Sequence, residues 1–299
     1  PSGPRLSSSS SSARQPATCA TCGGRPSSTS ESEAPAPRPR ADRRLGQHFL
    51  FDPSILRRIV AAAGDLADAV VLEVGPGPGG LTRALLEAEP RRVVAIERDP
   101  RWMNRLRDLP EVASGRLELI EGDALTLGLA TVARGARVRI VANLPYNVAT
   151  PLLMRWLDEV ALVELMVLMF QKEVALRLCA APGSPDYGRL SVAAQLVCQV
   201  ERRFDLPAAA FHPPPKVASS VVRLVPRVEQ PPAAVRRALA SVTRAAFGQR
   251  RKMLRASLRA LDPAPDRLLD RAGIVPTRRA EELSVEEFRR LAETVLAAA

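Results

Sequence analysis

Asn143, Leu144, Pro145 and Tyr146 follow directly on the largely apolar run Val138–Ala142, and together they offer an amide, a stiffened backbone and a flat ring. Such a set suits an exocyclic aromatic amine, which is a poor nucleophile because its lone pair is delocalised into the ring. Two acceptors that hold its N–H groups out of plane localise that pair: the Asn143 side-chain oxygen and the Leu144 carbonyl, fixed in place by Pro145. Tyr146 can stack on the base, a contact worth about 1–3 kcal/mol in nucleic-acid complexes. No strong general base is needed, because the alkylated amine becomes acidic and sheds its own proton. That suits a chain whose only histidines are His48 and His212. A plain turn around a buried tyrosine is the competing reading.

A second set surrounds Gly75. In "EVGPGPGG", Gly75, Gly77 and Gly80 satisfy G-x-G-x-x-G, and Glu97 follows about 20 residues on, as for a dinucleotide. Glycines there let the backbone approach a ligand, and Glu97 can take both hydroxyls of a ribose. Pro76 and Pro78 lack the N–H donors that a pyrophosphate would want. S-adenosylmethionine has a ribose and an adenine but no phosphate, so it loses less, and Asp123 can accept from its adenine amine.

These residues need elements to place them. Asp52-Pro53 reads as a helix cap followed by proline at the first helical position, with Ile55, Leu56, Ile59, Val60 and Ala63 on one face. Five β-rich runs then alternate with helical patterns: Val70–Val74, Val93–Ile96, Leu117–Ile120, Val138–Ala142 and Leu165–Phe170. That alternation predicts an α/β fold with a parallel, doubly wound sheet. A glycine or polar residue follows each of the first four runs: Gly75, Glu97, Glu121-Gly122-Asp123 and Asn143. Ligands of such sheets bind beyond the carboxyl ends of the strands, so these four ends form a constellation. An acid after any one strand is more often just a helix cap.

Composition sets the limits. Hydrophobic residues make up 46% of the 299, enough for a sizeable core, and no run approaches the roughly 20 apolar residues of a membrane span. The net charge of +11 points to a polyanionic partner. Only Lys172, Lys216 and Lys252 are lysines, so arginine supplies nearly all of it and its placement matters more than its total. Residues 1–44, with the run Ser7–Ser12 and prolines at 35, 37 and 39, are expected to be a disordered tail. Cys19 and Cys22 form a C-x-x-C there, but no second pair or nearby histidine completes a zinc set, and no metal is expected. Cys179 and Cys198 read as reduced core residues of a cytoplasmic protein.

Beyond about Val228 the pattern is helical. From Pro231 to Leu261 there are eight basic residues and no acid, and Arg251, Arg255 and Arg259 recur every fourth position, which predicts one basic helix face. A stretch of one sign repels itself unless a polyanion is expected, so this face points to RNA backbone rather than to simple solvation. Ser284 with Glu287 reads as a capping box.

The motifs "LGQHFL", "EVGPGPGGLT", "NLPYNVATP", "QKEVALRL", "YGRLSV", "FHPPPKVASSVVRL", "FGQRRKMLRASL" and "PTRRAEELSVEEF" occur in this order from about Arg43 to the C-terminus. In that order they resemble the ribosomal RNA adenine N6,N6-dimethyltransferases, specifically those of the small-subunit (16S) class. The resemblance implies a Rossmann-like class I S-adenosylmethionine methyltransferase sheet over residues 45–228 and a small all-α RNA-binding domain over 229–299. It implies S-adenosylmethionine as methyl donor, contacted by His48, Leu50, Gly75, Glu97, Asp123 and Asn143. The family commonly has Asn where this chain has His48. Phe211 resembles a second aromatic beside the target base, which with Tyr146 would sandwich a flipped-out adenine; a hydrophobic anchor for the prolines that follow is the alternative. The implied partner is small-subunit rRNA in a pre-30S particle. A monomer is expected because no oligomerisation heptad shows, and no membrane association because no apolar run is long enough. A large-subunit rRNA dimethyltransferase, a non-catalytic assembly factor on the same scaffold and an NAD-dependent dehydrogenase are the other readings. The loop prolines disfavour the last of these.

Overall fold

The computed structural model describes residues 46–298; the expected tail and its Cys19–Cys22 pair lie outside them. The described residues open with a short strand β1 (Phe49–Leu50) and helix α1 (Pro53–Ala62). Asp52 caps α1 by accepting from the Ser54 amide at 2.8 Å, with Pro53 in the first turn, as the sequence predicts. An alternating succession follows: β2 (Val70–Val74), α2 (Gly80–Glu87), β3 (Arg92–Glu97), α3 (Pro100–Arg107), α4 (Pro110–Ala113), β4 (Leu117–Glu121), α5 (Leu129–Ala133), β5 (Val138–Ala142), α6 (Tyr146–Asp158) and β6 (Val163–Gln171). All five predicted strands are present. β2 and β5 have the predicted bounds, and the others extend by one to three residues in all.

The rest of the sheet was not anticipated. After α7 (Lys172–Cys179) and α8 (Arg189–Val197) come β7 (Cys198–Leu206), β8 (Phe211–His212) and β9 (Ser219–Pro226). The sheet has seven strands in the order β4-β3-β2-β5-β6-β9-β7. β9 runs antiparallel to both of its neighbours, so the sheet is parallel only in part. The edge strand β7 escapes notice because its "VERRFD" centre is charged, as the solvent-facing edge of a sheet tolerates. A separate two-stranded pair joins β1 to β8, with Phe49 opposite His212 and Leu50 opposite Phe211.

The strand order reverses between β2 and β5, which open a crevice at their carboxyl ends. Alternate residues of β2 feed opposite faces of the sheet. Val70, Leu72 and Val74 join the larger core with α5 and α6, while Val71 joins the smaller one with α1 and α2. The larger core runs on into the C-terminal helices α9 (Ala233–Gly248), α10 (Leu254–Ser257), α11 (Pro265–Arg271) and α12 (Val285–Ala298). Phe288 of α12 stacks on Phe247 at 5.4 Å, and Phe247 meets Tyr187 edge-on at 6.1 Å. The Ser284–Glu287 box closes the start of α12 with bonds of 2.8 and 3.1 Å. Cys198 is buried and free, and Cys179 is partly buried and free.

The predicted single face for Arg251, Arg255 and Arg259 does not form. α9 stops at Gly248, and Arg251 sits in the turn before α10, which carries Arg255; Arg259 follows in a short 3-10 turn. Arg250 pins that turn: its guanidinium meets Glu281 at 2.9 Å and the Pro185 carbonyl at 2.6 Å. Arg251, Lys252, Arg255 and Arg259 are all exposed, and none is in an ion pair among the described residues.

Phe288 is fully buried in a core shared by sheet and helices. Phe288→Ala should therefore lower folding stability by about 3–5 kcal/mol in chemical denaturation, with helix and sheet signals shifting together.

Candidate active site

A cleft lies at the carboxyl ends of β2 and β3, lined by Gly75, Glu97, Arg98, Asp123, Pro145 and two residues from the segment before α1, Gln47 and Phe49. Glu97 is its anchor. Its Oε2 accepts from the Gly77 amide at 3.0 Å, and its Oε1 accepts from the amides of Arg98 and Asp99, both at 2.8 Å. Burial pushes the Glu97 carboxyl above its ordinary range, and those three amide bonds pull the other way. Asp123 is half-exposed. Its Oδ1 takes the Leu125 amide at 2.9 Å, and its Oδ2 faces Arg98 at 3.6 Å, a surface pair weak enough for a ligand to replace.

The glycine loop holds its amides inward. Gly75 donates to the Ile96 carbonyl at 2.9 Å, Gly77 to Glu97, and Gly79 to the Pro76 carbonyl at 3.0 Å. With Pro76 and Pro78 between them, none of these amides is left for a phosphate. Gly77 has φ +52°, and a Cβ there would lie 2.5 Å from the Phe49 ring. No other residue type would let Phe49 close over the loop as it does.

The second half of the site is the corner after β5. Pro145 occupies the cap position of α6, so Tyr146 opens the helix. The Tyr146 hydroxyl bonds the buried Ser219 hydroxyl of β9 at 2.6 Å. Asn143 donates from Nδ2 to the His48 carbonyl at 2.8 Å, which leaves its Oδ1 as a free acceptor. The His48 ring stacks on Tyr146 at 5.6 Å between centroids and 30° between planes. His48 Nδ1 also donates to the Pro213 carbonyl at 2.7 Å. The corner retains only about 20 Å³ of free space, against about 140 Å³ in the cleft beside Glu97. The His48 ring covers a face of Tyr146 here.

The structure thus gathers Gly75, Glu97 and Asp123 around one cleft and Asn143, Leu144, Pro145 and Tyr146 around the adjoining corner. His48 lies in the corner rather than along the cleft. Leu50 lines a narrow space shared with Glu73 and Asn143. Phe211 is 3% exposed and packs in the core beside Leu50. The ring that lies on Tyr146 is that of His48.

Comparison with known proteins places this geometry. The family described as "Ribosomal RNA adenine dimethylase" matches residues 39–296. The chain belongs to that family. It is 55% identical over 258 residues to "Ribosomal RNA small subunit methyltransferase A" of Rhodospirillum rubrum, covering 86% of this chain and 89% of that protein. It is 53% identical over 257 residues to the protein of the same name from Gluconobacter oxydans, covering 86% and 84%. A dimethyladenosine transferase from Plasmodium falciparum superposes with a TM-score of 0.70 at 27% identity, over 82% of this chain and 96% of that one. The 23S rRNA methyltransferase ErmE gives 0.62 at 28% identity, over 83% and 99%.

The cleft of this rRNA adenine dimethylase fits S-adenosylmethionine on structural grounds. The buried Glu97 carboxylate sits beside a loop whose Gly75, Gly77 and Gly79 amides are already bonded, and the half-exposed Asp123 lines the same cleft. Gln47 and Phe49 were missed among the site residues although the "GQHFL" segment was recognised. Their signal lay in that segment, whose backbone carries both neighbours into the site. Gln47 is held there by a bond to Asp99 at 3.2 Å.

Glu73, just before the glycine loop, was also missed. It is 1% exposed, and its Oε2 has no hydrogen-bond partner. Burial pushes its carboxyl from 4.5 to about 8; the neighbouring Thr82 hydroxyl offsets part of this without a bond of good geometry, and the Glu97 charge adds to it. The folded state therefore holds this proton more tightly than the unfolded chain. Its contribution to stability is complete below pH 4.5 and is lost as pH rises towards 8. Glu73→Gln should flatten that part of the stability profile, so denaturant midpoints of wild type and variant should diverge steadily between those two pH values.

Proposed function

We propose that this dimethylase transfers methyl groups from S-adenosylmethionine to the N6 amines of two adjacent adenosines near the 3′ end of small-subunit rRNA. We place the reaction in a pre-30S particle in the cytoplasm, carried out by a monomer without a metal. The observation that carries the reading is the orientation of Asn143. With its Nδ2 held by the His48 carbonyl, Oδ1 is presented as an acceptor at the corner beside the donor cleft. The relatives named for the small subunit support the choice of substrate.

Bound S-adenosylmethionine supplies an electrophilic methyl group on a sulfonium. Glu97 and Asp123 hold its ribose and adenine, and Phe49 closes over the loop. Tyr146 receives the target adenine on its ring face once His48 has moved aside. Asn143 Oδ1 and the Leu144 carbonyl accept from the N6 amine and localise its lone pair. As the nitrogen forms the new C–N bond the methyl C–S bond breaks and leaves a neutral thioether, and the now cationic nitrogen releases a proton to water. Ser219 fixes the tilt of Tyr146 through its hydroxyl, which takes no part in proton transfer. Phe211 supports this corner from behind as a buried anchor. The helical region from 229 onward binds RNA backbone through Arg251, Lys252, Arg255 and Arg259.

Methyl transfer from labelled donor tests the substrate: immature 30S particles should be methylated far faster than 50S particles. Equal rates would remove the small-subunit assignment. Single-turnover rates on preformed complexes should fall in the order wild type, Tyr146→Phe, Tyr146→Ala, Asn143→Ala. Asn143→Ala should lose about a hundredfold or more, because its acceptor acts mainly in the transition state. Normal turnover by Asn143→Ala would end the acceptor mechanism.

Replacing Arg251, Arg255 and Arg259 together by Gln should weaken RNA binding and flatten its dependence on salt, since fewer counterions are released. Calorimetry should show unchanged donor affinity in the same variant.

A further inference from the structure

The chain is poor in aromatic residues, with 7 Phe, 2 Tyr and 2 Trp among its 299. Five of these, Phe49, Phe51, Trp102, Tyr146 and Phe211, nonetheless gather with both histidines around the β1–β8 pair. Packing accounts for four of the rings. Trp102 and Phe211 are buried, Phe49 covers Gly77 and meets Trp102 edge-on at 5.1 Å, and Tyr146 carries His48. Phe51 is different. It is 50% exposed, and it is the one aromatic among the exposed large apolar side chains of the described residues.

Neighbouring chain holds Phe51 in place. Leu50 before it is paired with Phe211, and Asp52 after it caps α1. Its ring leans at 54° against the exposed His212, 6.4 Å away. From there the path to the reacting corner is short. His212 precedes Pro213, the Pro213 carbonyl holds His48 Nδ1, and the His48 ring lies on Tyr146. Lys216, further along the same loop, is also exposed. A lone exposed ring is too small to dock a folded protein, which needs an apolar patch of several hundred Å². One unpaired base matches it in size, and a base of any identity has a face to stack.

We propose that Phe51 and His212 form a stacking step for the unpaired RNA base next to the adenosine held by Asn143 and Tyr146. This rests on that reading of the corner. Drawing one adenosine out of the strand strips its neighbour of a stacking partner on one face. The Phe51 ring replaces that partner, and Lys216 meets the phosphate beside it. The step holds the strand still while the amine reacts and places no requirement on the neighbour's identity.

Steady-state methylation of unmethylated 30S particles tests the proposal. Phe51→Ala should raise the KM for particles about tenfold, the scale of one lost base stack, with kcat little changed. Calorimetry should give donor affinity within about twofold of wild type, the margin expected for a side chain outside the cleft. Phe51→Trp should restore the KM, and 2-aminopurine placed beside the target adenosine should be quenched by wild type and Phe51→Trp but not by Phe51→Ala. A Phe51→Leu variant that behaves as wild type would overturn stacking in favour of simple apolar contact. An unchanged KM in Phe51→Ala would overturn the proposal outright, as would an equal loss of donor affinity. Should Asn143→Ala turn over normally, the corner reading fails, while the Phe51 series still reports whether a base stacks there.

Discussion

The bond from the Asn143 amide to the His48 carbonyl joins segments 95 residues apart, and the site is organised around it. It fixes which end of the Asn143 amide faces outward, and so whether the corner presents an acceptor or a donor. It also holds the segment from Gly46 to Leu50 across the carboxyl ends of β2 and β5. Without that strap Phe49 would not cover the glycine loop, and Gln47 would not reach the cleft. The β1–β8 pair supports the strap from the other side, through only two residues on each strand.

The same economy of donors shapes the cleft. A loop after the first strand of a doubly wound sheet usually offers its amides to a phosphate. Here two prolines remove donors and three glycine amides turn inward, one of them onto the Glu97 carboxylate in the cleft. The loop keeps the close backbone approach that glycine permits while losing its preference for anions.

The parts of the fold legible in the sequence were those with strong local signals. β2, β3, β5 and β6 are β-rich runs buried along nearly their whole length, β4 is a short β-rich run at the sheet edge, and Asp52-Pro53 and Ser284–Glu287 carry cap chemistry in the side chains themselves. The strand ends were legible because glycine or a polar residue breaks each run. β7 was not, because an edge strand is half solvated and its arginines hide the alternation. β1 and β8 were not, because two-residue strands exist only through each other. The basic stretch was misread as one helix face because spacing alone does not show that Gly248 ends α9 and that Arg250 is drawn to Glu281. At the site, the residue types at the corner could be named from chemistry. The place of His48 on Tyr146 could not, since it depends on a segment that crosses the sheet from outside it.

In the proposed reaction that segment is shared between two ligands. It lines the cleft through Gln47 and Phe49, and it covers the corner after β5 through His48. A free-energy change in how it is held is therefore felt at both places, and thermodynamic reciprocity fixes the exchange. If bound donor tightens the strap and makes His48 harder to displace, RNA weakens donor binding by the same factor. If donor loosens it, each ligand favours the other. The sign of such a heterotropic coupling would reside in five residues that belong to neither the seven-stranded sheet nor the C-terminal helices.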